Sequence, residues 1–161
     1  MLRSTTLAVV LLGMIGTTLA HAIKAGDLAI DHPWARATAA SQPNGAAYLT
    51  VTNDGPADRI VAAATPVAER VELHTHEVDN AGVMRMRQLE AIELPAGEAT
   101  ALAPGGLHIM LFGLRDRLVE GETFPLTLTL ENAGAIELEV RVEAATYGVG
   151  GNPAMGHGHG N

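Results

Sequence analysis

The 161-residue chain carries 18 acidic against 10 basic side chains, seven histidines, six methionines and no cysteine. That length fits one domain, since domains typically run to about 100–150 residues. The missing cysteine excludes disulfides, thiolate zinc sites, iron–sulfur clusters, cysteine nucleophiles and blue-copper centres, and a net charge of −8 argues against any sequence-independent grip on nucleic acid.

The chain opens with Met1-Leu2-Arg3, an apolar run from Leu7 to Gly16, and the small-residue stretch Leu19-Ala20-His21-Ala22. A basic start, about ten apolar residues and a small-x-small end predict a secretory signal peptide over residues 1–22. The run is shorter than the roughly 20 residues a membrane span needs, so no stable insertion is expected after cleavage. Ala20-His21-Ala22 is the better cleavage triplet, with Thr18-Leu19-Ala20 as the alternative. Loss of Arg3 moves the net charge from −8 to −9. A leader on a cysteine-free chain suits an oxidising compartment, and the periplasm is the expected location.

The segment after the leader, residues 23–147, reads as β throughout. Short apolar runs lie at Leu28–Ile30, Ala46–Thr52, Arg59–Ala63, Arg70–His76, Val83–Leu89 and Leu107–Phe112. Turn chemistry separates them at Asn53–Pro56, Asp79–Gly82, Pro95–Gly97 and Pro104–Gly106. Leu126–Glu131 and Ile136–Glu143 alternate apolar and polar residues around Asn132-Ala133-Gly134, the pattern of a hairpin with one buried face. Many short strands and no sustained 3.6-residue period predict an all-β, antiparallel Greek-key sandwich or barrel. Residues 148–161, with six glycines, have almost nothing to bury and are expected to form a flexible tail.

Three local patterns carry chemistry. His74-Thr75-His76 places two imidazoles on one side of a strand, because side chains alternate with period two. Met84-Arg85-Met86 does the same with two thioethers, and His108-Ile109-Met110 puts one of each on a common face. Pairing of the first two strands around Asp79–Gly82 would bring the histidine and methionine pairs together. Thioether sulfur selects Cu(I), and imidazole serves copper in either oxidation state. Zinc rarely takes methionine, and calcium or magnesium would want carboxylates. The set therefore points to copper. The bland alternative is that Met110 fills a core gap and His108 is an ordinary structural histidine. Arg85 and Arg87 fall on the opposite face as solvated charges.

Pro33-Trp-Ala-Arg36, Gly45-Ala-Ala-Tyr48, Glu72-Leu-His74, Val83-Met-Arg-Met-Arg87, Pro104–Leu111 and Phe124-Pro-Leu-Thr-Leu128 together resemble the PCu(A)C family of periplasmic copper chaperones. The family's motif is a His, ten residues, a Met, 21 residues, then His-x-Met. Residues 87–107 supply the 21, favouring Met86 over Met84. Eleven residues separate His74 from Met86, one more than the motif, which leaves His76 as an alternative to His74. The resemblance implies a cupredoxin-like barrel binding one Cu(I) through His74, Met86, His108 and Met110, with His76 and Met84 as accessory candidates. It also implies delivery to a copper centre of cytochrome oxidase, through an oxidase subunit or a Sco-type protein. Met155, His157 and His159 resemble the Met/His-rich tails of some members, which hold a second copper, Cu(II); the plain alternative is a solubilising end.

Two rival readings are copper buffering without a dedicated recipient and an immunoglobulin-like interaction module with an incidental His/Met set. No Gly-x-Ser-x-Gly or phosphate-binding glycine loop is present, and Ser41 has no partner pattern, so no enzymatic activity is expected. Trp34 is expected in the core and His32 on the surface as a bystander.

Overall fold

A computed structural model describes residues 23–149. The expected leader and the tail residues Met155, His157 and His159 lie outside the described residues. Eleven strands follow in order: β1 (Ile23–Ala25), β2 (Leu28–Arg36), β3 (Asn44–Asn53), β4 (Asp58–Ala64), β5 (Ala68–Val78), β6 (Met84–Leu89), β7 (Ile92–Leu94), β8 (Glu98–Leu102), β9 (His108–Leu114), β10 (Thr123–Leu130) and β11 (Gly134–Glu143). The described residues contain no helix.

The strands pair in the order β6-β5-β9-β3-β2-β11-β10-β4-β7, with β1 added to β2 and β8 added to β3. Leu73 of β5, Leu49 of β3, Leu138 of β11 and Ile92 of β7 all belong to one hydrophobic core, so the sheet folds over on itself as a sandwich. The architecture is the all-β, cupredoxin-like one expected. One pairing departs from a purely antiparallel sheet: β11 runs parallel to β2, from Arg141 beside Trp34 to Glu143 beside Arg36.

The β10–β11 hairpin shows how pattern becomes packing. Leu126, Leu128, Leu130, Ile136, Leu138, Val140 and Val142 are buried, while Glu137, Glu139 and Arg141 face outward. Gly134 closes the turn at φ 79°, a conformation open to glycine without a Cβ penalty. Burying such aliphatic side chains stabilises the fold by about 1.5–3 kcal/mol each.

β1, β7 and β8 were not expected from sequence. The first two hold three residues each, too few for alternation to register. Their neighbours define them: Asp58–Ile60 pair with Ile92–Leu94, and Leu49–Asn53 pair with Glu98–Leu102. Trp34 is buried as expected. It stacks on Tyr48 with ring centroids 4.5 Å apart and meets Tyr147 edge-on at 4.7 Å. The β2–β3 register shifts between Asp31 and Trp34. His32, with φ 46°, sits exposed at this irregularity.

Candidate metal centre

β5 lies between β6 and β9, so this strand places the three His/Met patterns on one face. Directly opposed residues in antiparallel strands point the same way. His74 stands opposite His108 and Gln88, His76 opposite Met86, Val78 opposite Met84, and Glu72 opposite Met110. The intervening residues Leu73, Ile109 and Leu111 point into the core. At His74 and His108 the alternation of burial fails, because each is buried beside a buried core neighbour. Both faces of the sheet are covered at that point.

The imidazoles are held in defined tautomers. Nε2 of His74 lies 2.8 Å from Glu72 Oε2. A carboxylate only accepts, so this nitrogen carries a proton, and in the neutral tautomer the lone pair is on Nδ1. That Nδ1 is buried without a hydrogen-bond partner. Glu72 is in turn paired with Arg70 at 3.2 Å, and the Arg70 guanidinium lies 4.6 Å over the Phe112 ring. Nδ1 of His108 donates to the Gly106 carbonyl at 2.9 Å, leaving the Nε2 lone pair free. The same carbonyl accepts the backbone N–H of His76, tying the hairpin arm to the 104–106 turn.

Nε2 of His108 points at Met86 Sδ, 3.2 Å away. With Nδ1 protonated, both facing atoms are lone-pair donors and cannot hydrogen-bond to each other. A metal bound to such a nitrogen at about 2.0 Å and a sulfur at about 2.3 Å would hold the two roughly 3.3–3.5 Å apart. The observed separation is close to that. Burial pushes His108 below the ordinary histidine pKa; the Gly106 bond opposes this, while His76 and His74 add to it. The ring is accordingly neutral at neutral pH, the form that metals bind.

Exposure rises along the face towards the hairpin tip. His108 is 2% exposed and His74 7%, whereas Met86 is 46% and Met84 59% exposed. The tip is built by Asp79, whose Oδ1 accepts the N–H groups of Ala81 and Val83, and by Gly82 at φ 77°. Arg85 pairs with Asp79 and Arg87 with Glu77, so the two arginines are paired rather than merely solvated. The centre thus has buried nitrogens and an open sulfur side.

His74, His108 and Met86 are brought together. Met110 shares their face one register step along β9, half-buried beside Ala46; among the described residues no hydrogen bond ties its sulfur to the others. His76 stacks on His108, with centroids 4.8 Å apart and an interplanar angle of 23°. Met84 lies at the tip opposite Val78. Among the described residues no three His, Asp or Glu side chains already form a cage, so an ion held here must use thioether sulfur or draw in a further ring. The orphaned nitrogens and the facing nitrogen–sulfur pair fit a soft cation. Sequence reading gave no role to Glu72 and Arg70; the Glu-x-His spacing, which puts a carboxylate on the imidazole's own face, was the available signal for Glu72.

An all-β sandwich with an imidazole–thioether centre at its open edge defines a soft-metal-binding module. Residues 28–142 match the family described as "Putative lipoprotein LpqE-like". The chain is also 32% identical, over 89% of its length and 90% of the relative's, to "Putative lipoprotein Lxx21020" of Leifsonia xyli subsp. xyli. Among solved structures it resembles the copper-bound PCuAC domain from PmoF2, with TM-score 0.66, 28% identity and coverage of 77% of this chain and 98% of that one. It also resembles apo-DR1885 from Deinococcus radiodurans, with TM-score 0.59, 26% identity and coverage of 89% and 97%. The Cu(I) form of DR1885 matches with TM-score 0.55, 31% identity and coverage of 77% and 81%. The chain belongs to the LpqE-like family, the PCu(A)C copper chaperones.

Proposed function

We propose that this protein is an exported copper chaperone that binds one Cu(I) through His74, Met86, His108 and Met110 and passes it to a copper centre of cytochrome oxidase. The observation that carries the reading is the pairing of Met86 Sδ with the unprotonated Nε2 of His108 at 3.2 Å. The orphaned Nδ1 of His74 on the same sheet face supports it. Two imidazoles and two thioethers, all uncharged as metal ligands, favour Cu(I) over harder divalent ions. The copper-bound state of similar domains from PmoF2 and DR1885 supports copper as the cargo.

The geometry suits transfer. The imidazoles anchor the ion from the buried side, while Met86 is reachable from solvent. A recipient's ligand can displace the exposed thioether first and then the imidazoles, so the ion is never released to water. Export through a leader over residues 1–22, with the periplasm as destination, completes the reading; the relative's lipoprotein name supports export, while this chain has no cysteine to carry a lipid. The recipient is an oxidase subunit or a Sco-type protein, and the chain itself catalyses no reaction.

The test is an anaerobic Cu(I) competition titration of the full chain against a chromogenic chelator, beside Met86→Ala and His108→Ala. One tight equivalent weakened at least tenfold, about 1.4 kcal/mol, by either substitution is expected. Unchanged affinity in both variants would sink the ligand set. Delivery is tested by loss of oxidase activity in a deletion strain; copper sensitivity with normal oxidase activity would make the protein a buffer instead.

A further inference from the structure

We propose that His76 is a third imidazole donor of this centre, so that the barrel binds Cu(II) as well as Cu(I). The inference rests on the copper reading above and extends it to the oxidised ion. Cu(II) favours nitrogen and oxygen ligands in tetragonal geometry, and thioether sulfur suits it less than Cu(I). Two imidazoles with two thioethers are therefore a poor Cu(II) site. Three imidazoles with a weak sulfur are a good one.

Three observations place His76 in that role. It stands opposite Met86 across the β5–β6 pair, the residue whose sulfur faces His108. Its ring lies against that of His108 at 4.8 Å, while His74, directly opposite His108 on β5, lies 5.9 Å from it. Two imidazoles that share one ion at metal–nitrogen distances of about 2 Å have centroids about 4.5–6 Å apart, the shorter values at the near-90° angles of tetragonal geometry, so His108 is spaced to share an ion with either neighbour. Finally, Nδ1 of His76 is buried and has no hydrogen-bond partner, a condition it shares with Nδ1 of His74.

No other partner accounts for this nitrogen. Glu77 and Asp79, the nearby carboxylates of the hairpin, are engaged by Arg87 and Arg85. As the rings stand, the three nitrogens do not yet form a cage. The His76 ring lies nearly parallel to His108, so a turn about its side-chain torsions is needed to aim Nδ1 at a shared ion. Those torsions move between staggered wells, and His76 is only half-buried on an edge hairpin.

The test uses the full chain carrying His157→Ala and His159→Ala, which removes the tail imidazoles, with and without His76→Ala. His76→Gln serves as a second variant that keeps a polar side chain. Cu(II) affinity and nitrogen hyperfine coupling in electron paramagnetic resonance are measured aerobically, and Cu(I) affinity anaerobically. The expected result is a Cu(II) affinity at least tenfold weaker and altered nitrogen coupling in both variants, with Cu(I) affinity changed less than threefold. Unchanged Cu(II) affinity and spectrum alongside tight Cu(I) binding would overturn the role of His76 and leave the copper reading intact. An equal fall for both ions would also overturn it, because His76 would then not distinguish the oxidation states. Absence of tight Cu(I) binding in the parent would overturn the copper reading, and this inference with it.

Discussion

Met86 and His108, 22 positions apart in sequence, place a sulfur and an unprotonated ring nitrogen 3.2 Å from each other. Neither atom has a proton to share, because His108 gives its own to Gly106. Two lone pairs at that distance repel unless a cation lies between them. Strand β5 makes the meeting happen, since β6 and β9 flank it on opposite sides and present both residues on one face.

Glu72 should set copper affinity without touching the ion. Its carboxylate accepts the His74 Nε2 proton in a hydrogen bond, so in the proposed site Nδ1 is the nitrogen left for the ion. Partners of this kind typically tune affinity by about 10–100-fold. Glu72→Gln should weaken Cu(I) binding within that range in the competition titration while thermal unfolding of the apo protein changes little. Wild-type affinity in Glu72→Gln would show that the carboxylate does not orient the ligand.

Acid stability should depend on Asp58. Burial would raise its carboxyl pKa, but backbone N–H groups of Asn132, Arg59 and Ala133, with the Asn132 side chain, outweigh that and hold it below the ordinary value. A carboxyl depressed in the folded state contributes stability above its unfolded pKa of about 3.9 and loses it as pH falls through the folded value. Asp58→Asn should therefore be less stable than wild type at pH 7, and the two denaturation midpoints should converge as pH falls through the depressed folded-state value. A constant difference down to pH 2 would rule out this linkage.

The core should respond independently of the centre. Leu128 is fully buried and pairs with Ile136 and Ala63, strands away from the His/Met face. Leu128→Ala should lower unfolding free energy by about 2–5 kcal/mol, read by chemical denaturation. Cu(I) affinity of the folded fraction should stay within threefold of wild type; a larger loss would couple the core to the centre.

The hairpin tip should loosen on its own. Asp79 caps the turn and pairs with Arg85, while β6 is an edge strand with little buried surface. Asp79→Ala should speed amide exchange over residues 78–89 with a global stability change below about 1 kcal/mol. Faster exchange across the whole domain would mean the hairpin is integral to the fold.

How far the sequence reached depended on the range of the interaction. His74 with His76, Met84 with Met86 and His108 with Met110 were legible as same-face pairs because strand periodicity is local. The β10–β11 hairpin was legible for the same reason. Glu72 was not singled out, since a carboxylate two residues from a histidine gains meaning only when the rotamers meet. β7 and β8 escaped because strands of three and five residues carry too few positions for alternation.

By itself the sequence determined the all-β class, the soft donor chemistry and the three strand-borne pairs, all properties of composition and period-two patterning. Tertiary structure alone decided that β9 lies beside β5, 30 or more residues away, and that β11 runs parallel to β2. It also decided that Nε2 of His108 faces the Met86 sulfur. The strand placements follow from burying one shared core, whereas the histidine tautomers are set locally by Glu72 and Gly106, each two residues from its ring. Core contacts join residues far apart in sequence, which meet only once the chain has folded.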